Sequence, residues 1–223
     1  MAGLLALVGG MEWRDGCTFD RELLEASGGD EVLVFPTAAA YEHPQRAVDT
    51  ATQWFSKLGA RVRGLDVLMR PDAESEEHAA VVRDARFIYL GGGSPMHLRS
   101  VLKDSLVWQA VVQAWDGGAV LAGSSAGAMV MCDPMVDPRG GAFTLGLGLV
   151  NTMTVIPHAN TWSQEKALRT YTLAPKGVAV VAIDEQTAII RSPEDGGTWR
   201  SAGAGNAVAW LDGNEIPLSA LTA

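Results

Sequence analysis

Short apolar runs recur along this chain, and most gaps between them carry the spacing of an amphipathic helix. The runs are Leu4–Val8, Glu31–Pro36, Arg61–Leu68, Phe87–Leu90, Ala119–Ala122, Met153–Ile156 and Val178–Ile183. Between them, helical patterns cover Asp20–Ala26, His43–Leu58, Glu74–Arg83, Met96–Lys103, Ser105–Trp115, Ser125–Met131 and Ser163–Thr170. The runs are continuous rather than alternating, which predicts strands of a parallel sheet covered on both faces. Right-handed crossovers then give an α/β fold: an open, doubly wound, mostly parallel sheet with helices on both faces. The tail reads differently. Thr187–Arg191, Trp199–Ala202 and Ala207–Leu211 are separated by Gly- and Asp-rich turns and predict antiparallel edge strands near the C-terminus. No linker, repeat or low-complexity block interrupts the pattern, so residues 1–223 are expected to form a single domain. In such sheets functional residues gather at the carboxyl ends of the strands.

Composition excludes several classes of function. The 223 residues are 48% hydrophobic and 19% charged, with a formal net charge of −9. No cluster of Lys or Arg offsets that charge, which argues against nucleic acid as a partner. Cys17 and Cys132 make neither a disulfide framework nor a metal-ligand spacing, and no metal or cofactor is expected. The run Met1–Gly9 lacks a basic start, is short, and is followed at once by Glu12, Arg14 and Asp15, so it reads as a core strand. No stretch approaches the roughly 18 to 20 apolar residues that span a bilayer. The expectation is a soluble, cytoplasmic protein with no membrane partner. Seven tryptophans and an edge hairpin leave room for a homodimer.

The chemistry concentrates at Gly123-Ser124-Ser125-Ala126-Gly127, a Gly-x-Ser-x-Gly frame between the apolar run at Ala119–Ala122 and the helical pattern at Ser125–Met131. A strand that passes into a helix through so tight a turn presents the central side chain at the sheet edge. Ser125 is the central residue, and Ser124 lies off the frame. The same small residues also fit a turn that serves only strand–helix packing. A serine nucleophile needs a base. Of His43, His78, His97 and His158, the last ends the run Thr154-Val155-Ile156-Pro157, which places it at a strand's carboxyl edge beside the elbow. Asp184, Glu185 and Asp137 are each placed to orient that histidine, and the residues alone leave the three open. The Ala126 amide offers one oxyanion donor, and Gly91-Gly92-Gly93 offers a second because glycines let backbone approach a substrate closely. That glycine run lacks the continuation of a phosphate-binding loop.

In this order and spacing, Ile88-Tyr89-Leu90-Gly91-Gly92-Gly93, the elbow, Pro157-His158 and Ile183-Asp184-Glu185-Gln186-Thr187-Ala188 resemble one known family. It is the peptidase E (aspartyl dipeptidase) and cyanophycinase family of serine peptidases, with a class I glutamine-amidotransferase-like fold. The likeness covers roughly residues 3 to 191. It implies a Ser125–His158–Glu185 triad, with Gly92 or Gly93 as the second oxyanion donor. The implied activity is cleavage of small peptides or isopeptides, aspartyl-containing ones among them, through an acyl-enzyme. Two segments depart from the family. Ser94-Pro95 follows the glycines where peptidase E has Asn-Thr, and Ala159-Asn160-Thr161-Trp162 follows the histidine. Ser94, Asn160 and Trp162 are therefore candidate substrate contacts, with Arg99 or Arg169 as the cation for an anionic group. The departures also fit a relative that has lost catalysis and binds a metabolite or partner. An amidotransferase would carry a cysteine where Ser125 stands.

Overall fold

The computed structural model describes residues 1–139, 142–194 and 196–221. Along the first half, β1 (Leu5–Val8), α1 (Phe19–Ser27), β2 (Glu31–Phe35), α2 (Pro44–Lys57) and β3 (Arg61–Gly64) alternate. They are followed by α3 (Arg70–Ala73), α4 (Glu76–Arg83), β4 (Phe87–Leu90), α5 (Pro95–Leu102), α6 (Leu106–Asp116), β5 (Val120–Ser124) and α7 (Ala126–Met131). The second half contains β6 (Met135–Val136), β7 (Phe143–Thr144), β8 (Met153–Ile156), α8 (Gln164–Leu173) and β9 (Ala179–Ile183). It closes with β10 (Thr187–Arg191), β11 (Trp199–Gly203), β12 (Ala207–Leu211) and β13 (Asn214–Ile216).

The central sheet has seven strands in the order β11-β10-β1-β5-β4-β2-β3. β1, β5, β4, β2 and β3 run parallel, while β10 and β11 add antiparallel on the β1 side. Alternation along each strand divides the core into two layers. Leu5, Leu7, Leu33, Phe35, Ile88, Leu90 and Leu121 face one layer, where α4, α5, α6 and α7 supply Val82, Leu98, Val111 and Met129. Ala6, Val8, Val32, Val34, Phe87 and Tyr89 face the other, against Phe19, Leu23, Trp54 and Phe55 of α1 and α2. Both faces are buried, and that is why the runs carry no polar alternation. Each fully buried Leu, Val or Phe contributes roughly 1.5–3 kcal/mol from apolar burial.

Several local expectations change. β8 and β9 do not join the central sheet; with β12 and β13 they form a second sheet in the order β13-β12-β9-β8. Of the tail strands, β10 and β11 edge the central sheet, whereas β12 pairs antiparallel with β9. β3 stops at Gly64, well before Leu68, because the chain leaves the sheet to bury Leu65 and Val67. The helix expected over Glu74–Arg83 is α4 and starts two residues later, at Glu76, because the Ser75 side chain caps it by accepting the His78 amide at 3.3 Å; the separate α3 precedes it. β6 and β7 pair as a small ribbon that the apolar pattern does not announce. Among the described residues no helix is long and apolar enough to cross a membrane.

Candidate active site

β5 ends at Ser124 and α7 begins at Ala126, so the whole turn is Ser125. Its backbone sits at φ 50°, ψ −107°, a conformation that costs an L-residue on the order of 1–3 kcal/mol. Hydrogen bonds hold it there: the Ser125 amide donates to Val8 O at 2.9 Å, and Ser125 O accepts from the Met129 amide at 2.9 Å. Gly127 completes the constraint. A Cβ there would run into the backbone of Leu90, so α7 can cross β4 closely only with glycine at this position. The side chain of Ser125 is consequently held out at the carboxyl end of β5, half-buried.

His158 follows β8 in a left-handed conformation, φ 52°, ψ 37°, with its amide donating to Gly9 O at 2.6 Å. Its Nε2 lies 3.0 Å from Ser125 Oγ, and its Nδ1 lies 2.8 Å from Glu185 Oε1. With Glu185 ionised, Nδ1 carries the proton and Nε2 is left as the acceptor for the serine hydroxyl. Glu185 sits where the chain leaves β9 in one sheet and enters β10 in the other. Asn160 Oδ1 accepts the Glu185 amide at 3.1 Å, and the Gln186 amide donates to Gly10 O at 2.8 Å. The other two acids are engaged elsewhere. Asp184 Oδ2 accepts the Asn206 amide at 3.0 Å. Asp137 takes two hydrogen bonds from the Arg139 side chain, which with the Arg139 amide lower its pKa to about 2.

The Gly91–Gly93 loop lies across the nucleophile from His158. The Gly91 amide donates to Phe35 O at 3.0 Å and the Ser94 amide to Ala38 O at 2.8 Å. The Gly92 amide donates to Glu12 Oε1 at 3.1 Å. Glu12 Oε2 in turn accepts the Ser124 hydroxyl at 2.7 Å. Among the described residues the amides of Gly93 and Ala126 have no acceptor. A cavity of about 450 Å³ opens over Ser125, His158, Gly92 and Gly93. Arg14 and Arg46 also line it, together with Glu12, Glu42 and His43, and neither arginine has an ion-pair partner among the described residues.

The remaining expected contacts fall outside this cavity. Ser94 caps α5 by accepting the His97 amide at 3.3 Å. Arg99 Nε donates to Leu145 O at 2.5 Å. Trp162 lies under Lys166 Nζ, 3.4 Å from its ring centroid, and Arg169 is an exposed residue of α8. Asn160 contributes through Glu185, as described. Of the other histidines, His97 Nε2 lies 2.9 Å from Leu68 O and His78 Nδ1 lies 2.9 Å from Asp72 O. Both cysteines are buried, and burial pushes each thiol up to about 12. Glu12, Arg14 and Arg46 were not anticipated from the sequence. For the first two the available signal was their place just past the carboxyl end of β1, next to β5 in the sheet.

The model of peptidase family S51 matches residues 5–196. A cyanophycinase of Synechococcus elongatus is 28% identical over 218 residues, covering 92% of this chain. One from Trichormus variabilis is 27% identical over 196 residues, covering 82% of this chain. The alignments span only 66% of the length of those relatives. Among solved structures, a peptidase from an acI-B1 Actinobacterium superposes with a TM-score of 0.82 at 29% identity, covering 97% of both chains. A putative peptidase E protein of Listeria monocytogenes superposes with a TM-score of 0.71 at 20% identity, covering 92% of this chain and all of the other, and bears on the fold alone.

Proposed function

Because the chain belongs to peptidase family S51, we propose that it is a serine hydrolase that cleaves small peptides or isopeptides through an acyl-enzyme. The observation that carries this reading is the unbroken line of hydrogen bonds from Ser125 Oγ through His158 to Glu185, 3.0 and 2.8 Å long. His158 Nε2 takes the Ser125 proton as Oγ attacks the substrate carbonyl, and Glu185 stabilises the imidazolium that results. The amides of Ala126 and Gly93 receive the tetrahedral oxyanion; one such donor is worth on the order of 3 kcal/mol. Gly92 is the weaker choice for the second donor, since its amide is already held by Glu12. His158 then protonates the leaving amine, and water repeats the cycle on the ester.

The substrate is a di- or tripeptide, or an isopeptide related to β-aspartyl links, that carries a carboxylate near the cut. Arg14 and Arg46, which line the same cavity as Ser125 and have no ion-pair partner among the described residues, support that choice. An exposed guanidinium is suited to bidentate carboxylate recognition. The name of the curated relatives, cyanophycinase, points the same way.

A panel of dipeptides and isoaspartyl dipeptides, read by amine release for wild type and Ser125→Ala, tests this reading. Acidic members should turn over faster than neutral ones, and the variant should lose at least about 10⁴-fold in kcat. Specific binding of a panel member without acylation of Ser125 would instead identify a binding protein on the same scaffold.

A further inference from the structure

We propose that Glu12 is a positioning residue that sets the oxyanion loop against the nucleophile, an inference that rests on the hydrolase reading above. Its carboxylate bridges two elements on either side of Ser125, accepting the Gly92 amide at 3.1 Å and the Ser124 hydroxyl at 2.7 Å. Ser124 is fully buried, and a buried hydroxyl requires an acceptor. The glycine loop has the opposite difficulty. Three consecutive glycines leave the backbone conformationally free, with no side chain to pack it. Its ends are pinned through Gly91 to Phe35 and through Ser94 to Ala38, so the Gly92 amide is the one internal anchor among the described residues. That anchor sets the peptide plane next to the one that carries the Gly93 N–H. The loop is also close enough for this to matter: a Cβ on Gly92 would lie 3.5 Å from Ser125 Cβ.

The segment that carries Glu12 registers the rest of the site as well. Gly9 O accepts the His158 amide, and Gly10 O accepts the Gln186 amide beside Glu185. One four-residue stretch leaving β1, residues 9–12, thus touches the base, the turn of the acid, the residue before the nucleophile and the oxyanion loop. Glu12 does no proton chemistry here. The serine hydroxyl is within reach of His158, and a carboxylate has no proton to offer an oxyanion. Its effect passes through Gly92 and Ser124. A glutamine keeps both elements tied, because its carbonyl accepts the Gly92 amide and its NH₂ donates to the Ser124 oxygen, although the Ser124 hydroxyl then loses its acceptor. An alanine removes it.

The test compares wild type, Glu12→Gln, Glu12→Ala and Ser124→Ala by the rate of Ser125 labelling with a fluorophosphonate. Its phosphoryl oxygen occupies the oxyanion position in the adduct. Glu12→Ala should label at least about tenfold more slowly and Glu12→Gln within about threefold of wild type, since a donor out of place loses much of its stabilisation. On a turned-over dipeptide the loss should fall on kcat more than on KM. The Gly92 amide should also exchange with deuterium faster in Glu12→Ala. Where Glu12→Ala does not fold, Ser124→Ala replaces it, with an intermediate loss expected. Labelling of Glu12→Ala at the wild-type rate, equal slowing of the Gln and Ala variants, or unchanged Gly92 exchange would each overturn the proposal. A wild type that does not label at all would remove the hydrolase reading and this one with it; a labelled wild type isolates the outcome to Glu12.

Discussion

At the scale of single residues, Gly10 and Asp20 mark where the site and the core are least tolerant. Gly10 has φ +109°, and a Cβ there would come within 2.5 Å of His158 Nε2. Gly10→Ala therefore strains the backbone and pushes the imidazole out of line with Ser125. A misplacement near 1 Å costs on the order of 10²-fold in rate, so kcat and Ser125 labelling should fall by at least that much. Retained activity would mean that the base position has more slack than the geometry allows. Asp20 is fully buried; its Oδ2 accepts Trp54 Nε1–H at 2.9 Å, and Oδ1 has no partner among the described residues. Burial raises its pKa well above the usual carboxylate range. Between the ordinary value and that raised value the folded protein binds one proton more than the unfolded chain, so stability falls as pH rises. Asp20→Asn keeps the acceptor for Trp54 and removes the titration. Near neutral pH it should raise Tm and flatten the decline of Tm as the pH rises above the ordinary carboxylate range. Parallel Tm–pH curves for the two proteins would contradict the assignment.

At the scale of elements, the short helix α7 matters through its distance from β4. Gly127 allows that distance, and a methyl group there meets the Leu90 backbone, which has no rotamer to yield. Gly127→Ala is expected to cost about 1–3 kcal/mol of stability by overpacking. Because α7 starts immediately after Ser125, the same shift should slow acylation, so Tm and labelling rate decline together. A variant that loses Tm and labels normally would show that the elbow is held by β5 alone. The β9–β10 turn has a comparable importance. It carries Asp184 and Glu185 in succession, and the bonds at Asn160, Asn206 and Gly10 decide which carboxylate faces His158.

At the scale of the whole molecule, the two sheets share one apolar cluster. Leu5 and Leu121 of the central sheet belong to it with Val155 and Val181 of the second. The nucleophile comes from the first sheet and the base from the end of the second, so neither sheet holds the site alone. Shared burial of this kind predicts one cooperative unfolding transition, with far-UV circular dichroism and tryptophan fluorescence coincident in denaturant. Two separated transitions would mean that the second sheet melts independently and takes His158 with it.

Local pattern determined much of this protein by itself. β1, β2, β4, β5, β8 and β9 follow from apolar runs, since a strand buried on both faces must be apolar throughout its length. The Gly-x-Ser-x-Gly turn was equally legible, because the crowding that demands small residues acts within five positions. Tertiary structure decided the rest. The apolar runs of β8 and β9 are as suited to the central sheet as to a second one, and pairing is chosen by partners distant in the chain, such as β12. Asp184 and Glu185 differ by one position, and only the folded turn gives them different neighbours. The arginines lining the cavity at the nucleophile are Arg14 and Arg46 instead of Arg99 and Arg169, because the loop leaving β1 and the first turn of α2 converge there, while Arg99 is turned to Leu145 O. Glu12 is the strongest case. Its partners Gly92 and Ser124 lie 80 and 112 residues away, and no local pattern records an encounter made only by folding.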